Sequence, residues 1–327
     1  MRERVLITGA SGFVGYHLVE EALKNNLEVY AAVRKSSKTD HLKKLNIKLT
    51  YPDFKNVASL KKDFEANQYH YVIHAAGVTR AKNQQAYNAV NVDYTVNLAK
   101  AAAASPHFKK FVFISSLAAL GPLHTLTGII NDNSIPHPVT SYGKSKMIAE
   151  QAIKTIPGLN CTILRPTGVY GPRDKDIYIA LKQFSKSFEA YIGHAPQKLS
   201  FIYVKDLAAA SVKALYSGKN KAYNLSDGNF YDRYELADIT KDILRVKTYK
   251  FHLPVNFVKI IASMAEIIGS LRGRTPVLNR EKLHELMAAN WYCSIEEARH
   301  DMGFYPQYDL KAGLTETLNW YKANKWL

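Results

Sequence analysis

Thr8-Gly9-Ala10-Ser11-Gly12-Phe13-Val14-Gly15 follows an apolar run, Val5-Leu6-Ile7, and opens a segment, 13–23, whose apolar residues return at helical spacing. Strand, glycine turn and helix follow one another within twenty-three residues. Glycine permits backbone conformations that side chains forbid, and it lets a pyrophosphate come up against bare N–H groups at the positive end of a helix. The spacing is G-x-x-G-x-x-G rather than the G-x-G-x-x-G of the ordinary dinucleotide fingerprint, so the turn alone is only partly specific. A glycine-rich turn without a ligand is the alternative.

The chain downstream repeats the alternation. Residues 28–33 form a second apolar strand that ends at Val33 and runs into Arg34, Lys35 and Lys38. A dinucleotide fold places the adenosine ribose at this strand end, where an acidic residue would bond the 2′-hydroxyl and an arginine would accommodate a 2′-phosphate. The acid is missing, so Arg34 and Lys38 favour NADP(H), with NAD(H) and a merely solvated basic loop as alternatives. A short strand over 47–51, a helix over 60–67 and an apolar strand over 71–77 follow. The last ends in Ala75, Ala76 and Gly77, small enough to let a flat ring or a backbone lie close. His74, alone at the end of that strand with no partner at ligand spacing, reads as structural, and no metal site is expected. A long helix over 84–104, with Val90, Tyr94, Leu98 and Ala101 on its apolar face, leads to a strand over 111–114. This pattern predicts an α/β fold: a Rossmann-type, doubly wound parallel sheet covered by helices on both faces.

The chemistry-bearing residues come next. The fifth strand ends in Ser115-Ser116, and twenty-five residues later Ser141-Tyr142-Gly143-Lys144-Ser145-Lys146 opens a helix. Tyr142 and Lys146, four apart, share one helical face. A tyrosine hydroxyl titrates at about 10, and an adjacent ammonium favours the phenolate, which predicts a general acid/base tuned toward neutrality. Ser116 is placed to bond the same substrate oxygen.

Composition bounds the rest. The 327 residues carry a formal charge of +16 and are 47% apolar, ample for a sizeable core. Lys and Arg are scattered rather than gathered in one tail, and no aromatic-basic stripe or nucleic-acid motif occurs, so a solvated basic surface is expected and a nucleic-acid partner is not. Cys161 and Cys293 have neither metal spacing nor a disulfide framework and suit a reducing compartment. With no leader preceding Val5, a cytoplasmic location is the expectation. Residues 255–271 are apolar but interrupted by Lys259 and Glu266, an amphipathic helix expected first as core or interface. With the basic flank Arg272-Gly273-Arg274, a membrane surface is its second option.

These motifs together resemble the extended short-chain dehydrogenase/reductases, which include nucleotide-sugar epimerases and dehydratases, dihydroflavonol-type reductases and 3β-hydroxysteroid dehydrogenases. The resemblance spans nearly the whole chain. It rests on the glycine turn, His74-Ala75-Ala76-Gly77, Asn91-Val92-Asp93, residues 113–116, Tyr142 to Lys146, and Leu164-Arg165-Pro166-Thr167-Gly168-Val169-Tyr170-Gly171-Pro172. It implies Tyr142 as catalytic acid/base, Lys146 as modulator of its pKa and clamp on the ribose, and Ser116 as the group that polarises the carbonyl. It places Asp53 at the adenine and Pro166 at the border of the nicotinamide, with Phe54, Thr167 and Val169 also in the cofactor-binding set. Thr8, Ser11, Phe13, Val14, Ala75, Ala76, Gly77, Asn91 and Ser115 complete the implied lining, beside the three glycines.

Three departures narrow the branch. Leu117-Ala118 stand where 4,6-dehydratases carry Asp-Glu. Leu199 stands where nucleotide-sugar enzymes carry a diphosphate-gripping arginine, with Lys198 as a substitute point charge. Asn290-Trp291-Tyr292-Cys293-Ser294 and Met302-Gly303-Phe304-Tyr305-Pro306 resemble the tail of the reductase and hydroxysteroid-dehydrogenase branches. The expected organisation is a dinucleotide-binding domain over 1–172 and a substrate lobe over 173–327, with about 200–226 returning to the first domain. Ile177, Tyr178, Leu181, Phe184 and Phe188 supply either an apolar substrate site or the lobe's own core. The implied function is an NAD(P)-dependent oxidoreductase interconverting a secondary alcohol and a carbonyl on a small, partly apolar molecule. A nucleotide-sugar epimerase or reductase with the same triad is the alternative, and a non-catalytic dinucleotide sensor is the alternative of another class. By analogy, a homodimer forms through the helices over 84–104 and 142–155.

Overall fold

The computed structural model describes residues 2–271 and 279–327, so the Arg272-Gly273-Arg274 flank lies outside the described residues. Seven parallel strands form the central sheet in the order β3-β2-β1-β4-β5-β6-β11. They are β1 (Arg4–Thr8), β2 (Glu28–Ala32), β3 (Lys48–Thr50), β4 (Tyr71–His74), β5 (Lys110–Ile114), β6 (Cys161–Pro166) and β11 (Ala222–Leu225). Their apolar runs are continuous because helices cover both faces. Val5 and Ile7 point to one layer, shared with Leu18, Val19 and Ala22 of α1 (Phe13–Lys24) and Leu207 and Val212 of α7 (Val204–Ser217). Leu6, between them, points to the other. There it meets Phe64 of α2 (Val57–Asn67), Leu98 of α4 (Tyr94–Ala103) and Ile153 of α5 (Ser141–Lys154).

The crossovers diverge between β1 and β4, and this switch point opens a crevice at the strands' carboxyl ends. Thr8 lies level with His74 across it, so the glycine turn and the 75–77 loop face each other. The stretch expected as one helix over 84–104 is instead α3 (Gln84–Asn88), a π-helical turn (Ala89–Asp93) and α4. One extra residue in the turn rotates Asn91 inward, and it is buried.

Short strands assemble the remainder. β7 (Gly168–Tyr170) pairs in parallel with β10 (Phe201–Tyr203), β9 (Lys198–Leu199) antiparallel with β12 (Tyr231–Asp232), and β8 (Phe188–Ile192) in parallel with β13 (Tyr249–Leu253). Around them stand α6 (Ile177–Ser185), α8 (Glu235–Leu244), α9 (Val255–Leu271), α10 (Arg280–Met287), α11 (Glu296–Met302) and α12 (Leu310–Ala323). Within residues 200–226, α7 packs on α1 and β11 pairs with β6 at the sheet edge. Leu181 and Phe184 join a core with Tyr170, Tyr203, Leu314 and Tyr321, and Ile177 and Tyr178 pack against it, whereas Phe188 is exposed. No described helix is long and apolar enough to cross a membrane.

Candidate functional site

Gly9 has φ +70°, and a Cβ there would lie 2.9 Å from the Ala75 backbone; one at Gly15 would lie 2.0 Å from the Gly9 carbonyl oxygen. Side chains at these positions would force the turn and the opposite loop apart. The Gly12 N–H donates to the Gly9 carbonyl at 2.9 Å, and Gly12 caps α1 without a side-chain acceptor or an acidic residue in the first turn. Uncapped N–H groups at a helix start suit an anion, and this cradle fits a dinucleotide pyrophosphate. At the other end of the crevice the buried Thr167 hydroxyl has no protein partner, which fits a second polar contact to such a ligand.

The 75–77 wall is held by a directed chain of hydrogen bonds. Thr95 Oγ1 donates to the Asn91 carbonyl (2.8 Å), so His74 must donate to Thr95 from Nε2 (2.9 Å) and accept at Nδ1 from Thr8 Oγ1 (2.7 Å). Thr8 Oγ1 in turn accepts from the Ala76 N–H at 3.1 Å. Burial, reinforced by the Lys146 charge, pushes His74 down to about 3, so the ring is neutral and structural as expected. The Asn91 amide is spent on the same wall: Oδ1 accepts from Val78 N–H (2.8 Å), and Nδ2 donates to the Val78 carbonyl (3.0 Å) and to Ser145 Oγ (2.9 Å). Asn91 and Thr8 therefore support the lining from behind. Ser115 likewise turns inward, donating to Glu150 Oε1 at 2.5 Å.

Ser116, Tyr142 and Lys146 are brought together by α5 and the turn that follows β5. Ser116 Oγ accepts from Ala118 N–H (3.2 Å), capping a single 3₁₀ turn (Leu117–Ala119), and its hydroxyl hydrogen-bonds that of Tyr142. A Cβ on Gly143 would fall 2.2 Å from the Ala118 carbonyl oxygen, so the turn can reach α5 only because residue 143 is glycine. The electrostatics differ from expectation. Lost hydration pushes Tyr142 up to about 12 despite the Ser116 bond, which pulls the other way. Lys146 does not bring it toward neutrality. Its Nζ donates to the Ile114 carbonyl at 2.8 Å and lies 4.7 Å from the Phe113 ring centroid, and burial lowers it to about 8.

Tyr142 lines a cavity of about 360 Å³ between the sheet's carboxyl end and helices α6 and α10. Of its charged walls, Arg80 pairs with Asp176 (2.7 Å) and Lys282 with Glu285 (2.7 Å). Glu281 accepts from Ser141 N–H (2.8 Å) and Ser141 Oγ (2.6 Å), capping α5 one residue before Tyr142. Glu281 and Glu285 were not anticipated, because 140 residues separate Glu281 from its partner and a charged helical pair carries no local signal. Lys198 does not line this cavity; its Nζ sits 4.5 Å over the Phe230 ring centroid.

The remaining expected residues lie apart from the triad. Arg34 and Lys38 are exposed beyond β2, and Arg34 makes no ion pair among the described residues. Asp53 is exposed, its carboxylate accepting from Lys55 N–H, while Phe54 lies half-buried against Tyr94. Val14 and Val169 pack against the core beside the turn, with Phe13 on the lobe side, and Pro166 closes β6. Ser11 takes a hydrogen bond at its backbone from His41, and the Arg173 guanidinium lies 4.0 Å over the Tyr16 ring centroid on α1. His41 and Arg173 thus border the cradle without any motif to mark them.

The chain is similar to known proteins over nearly its whole length. A ceramide reductase from Caulobacter vibrioides is 26% identical over 326 residues, covering 99% of this chain and 96% of the relative. A UDP-glucose 4-epimerase from Vibrio cholerae is 27% identical over 334 residues, covering 97% and 95%. The solved UDP-glucose 4-epimerase of Thermotoga maritima, crystallised with UDP-glucose, superposes with a TM-score of 0.80 at 20% identity, over 98% of this chain and 99% of that one, and shows the shared fold. The model of the NAD dependent epimerase/dehydratase family matches residues 5–226, and the chain belongs to that family, whose members here are epimerases, reductases and dehydrogenases of the extended short-chain type.

Proposed function

We propose that the protein is an NADP(H)-dependent reductase or dehydrogenase that interconverts a secondary alcohol and a carbonyl on a partly apolar substrate. The observation that carries this reading is Tyr142, bonded to Ser116, in the wall of a cavity whose two described cations are already neutralised by Asp176 and Glu285. With Glu281 added, the described lining holds three carboxylates against two cations, which disfavours a diphosphate. The ceramide reductase relative supports an apolar substrate.

When bound, the dinucleotide supplies or accepts a hydride. Ser116 orients the substrate oxygen, and Tyr142 gives it a proton in reduction or removes one in oxidation. Lys146 supplies the positive charge beneath. Gly9, Gly12 and Gly15 would receive the pyrophosphate, and Arg34 and Lys38 would meet a 2′-phosphate. Replacing Arg34 by Ala should weaken NADPH binding by about 10- to 100-fold, the worth of one or two charge-assisted hydrogen bonds, and leave NADH binding unchanged. Fluorescence titration of both nucleotides measures it; equal losses for the two would refute the 2′-phosphate assignment.

The direction of the shifts also fixes a pH dependence. Tyr142, held up to about 12, stays protonated through neutrality, so the proton needed for reduction is present. Carbonyl reduction should therefore be level at neutral pH and decline above about 8 as Lys146 loses its proton. Alcohol oxidation should climb with pH over the same range. Profiles of kcat in both directions test this.

The deciding experiment is NADPH and NADH oxidation against ketones of increasing chain length, with UDP-glucose in parallel. Epimerisation of UDP-glucose by protein that retains NAD from purification establishes the epimerase reading, which the Vibrio and Thermotoga proteins support. Nucleotide binding without turnover of any substrate establishes the sensor reading.

A further inference from the structure

We propose that α9 is a membrane-docking helix, lying in the plane of an anionic bilayer beside the cavity mouth. Its buried stripe is narrow, with Val258 and Ala262 facing the protein. The opposite face is apolar and open to solvent: Phe257 is 52% exposed, Ile260 58%, Ile261 42% and Met264 56%. Positions i, i+3, i+4 and i+7 align on one side of a helix. Exposing four large side chains in one stripe is costly in water, and a stripe of that kind marks a surface that something covers.

The charges around it select the occupant. Glu266 is the helix's one described acid, and it accepts from the Arg280 N–H at 2.8 Å with the Arg280 guanidinium 3.7 Å away. Lys259 is exposed on the same helix, and the whole chain carries +16. With Glu266 engaged by Arg280, Lys259 is the exposed charge the helix presents, and the net positive charge of the whole chain complements an acidic lipid surface. The face holds Phe, Ile and Met but none of the Trp, Tyr or Arg anchors that dominate protein interfaces, which favours acyl chains over a protein partner. The helix, ~25 Å long, is too short and too amphipathic to span a bilayer, so it lies on one. Position gives the docking its consequence: α9 packs against α10, whose Glu281, Glu285 and Leu286 line the cavity that holds Tyr142.

A labelled thiol tests this without disturbing the fold. Cys161 and Cys293 are both buried, so Met264→Cys adds an exposed thiol that takes an environment-sensitive dye selectively. With vesicles of phosphatidylcholine and phosphatidylglycerol the dye emission should shift to the blue, and cosedimentation should be at least about tenfold stronger than with phosphatidylcholine alone. The double variant Ile260→Glu, Met264→Glu should lose about tenfold or more in vesicle binding, while Ile135→Glu, at an exposed apolar side chain far from α9 in sequence, should lose none. Both variants are checked for a cooperative melt. Absence of a dye shift, or equal vesicle binding by the α9 double variant, overturns the proposal. So does a concentration-dependent dimer that the double variant abolishes, because the face then belongs to a second copy. The readout is independent of which substrate is turned over.

Discussion

Tyr142→Phe should reduce turnover by about a thousandfold and leave dinucleotide affinity within about twofold. The substitution removes one oxygen and keeps the ring that lines the cavity wall. Loss of a positioned proton donor costs ~10²–10⁴ in rate. The low end of that range is not expected here, because Ser116, its neighbour, is itself a neutral hydroxyl and supplies no acid of comparable strength. Dinucleotide affinity is spared because the glycine cradle and the strand-end loop are built from backbone that does not depend on the phenol. Stopped-flow hydride transfer separates chemistry from release, and titration of NADPH fluorescence reports binding. A variant that keeps a tenth or more of the wild-type rate would remove Tyr142 from the acid/base role. A variant that loses nucleotide binding as well would instead make it a structural residue of the crevice.

The parts of this molecule legible in the sequence are those written in local patterns. Val5-Leu6-Ile7 before the glycine turn, and each apolar run after it, announce a strand because a sheet covered on both faces needs unbroken apolar residues. Tyr142 and Lys146 announce themselves because a helix puts residues four apart on one side. What escaped was set by packing at long range. The π-helical turn at Ala89–Asp93 is a one-residue change of register that hydrophobic periodicity over 84–104 does not resolve, yet it turns Asn91 into the wall. Glu281 and Glu285 read as ordinary helix charges until α10 folds back over α5. Apolar composition in α9 could not say which side would be buried.

The Tyr142–Lys146 pair shows the same limit in energetic terms. Proximity on a helix predicted that the ammonium would stabilise the phenolate. Burial disfavours the charged form of both groups, raising the phenol and lowering the amine. Desolvation is the largest cause for both groups, and Lys146 directs its Nζ to the Ile114 carbonyl. The result is a phenol that keeps its proton through neutrality beside a weakly held cation, so the proton that reduction consumes is in place.

The second large effect lies beneath the triad. Glu150→Ala should destabilise the protein by about 3–5 kcal/mol, the cost of leaving a buried charge without its partner. Glu150 and Arg165 are 4% and 6% exposed, and Arg165 reaches the carboxylate through Nε at 3.0 Å to both oxygens and Nη2 at 2.5 Å to one. Its Nη1 donates to the Asp132 carbonyl at 2.8 Å, so Glu150 is the carboxylate that the guanidinium hydrogen-bonds. Removing both charges should be far milder: Glu150→Leu with Arg165→Met trades an ion pair for apolar volume and should recover most of the loss. The melting midpoint, about 6 °C lower for the single variant by the usual scaling, measures both. Activity carries a second signature. The Glu150 charge raises Lys146 against the lowering by burial, so its removal should move the alkaline decline of carbonyl reduction to lower pH. A structural defect alone would lower the melting midpoint without shifting that limb. The paired readout therefore tells whether Glu150 merely stabilises α5 or also sets the proton affinity of the lysine one turn before it.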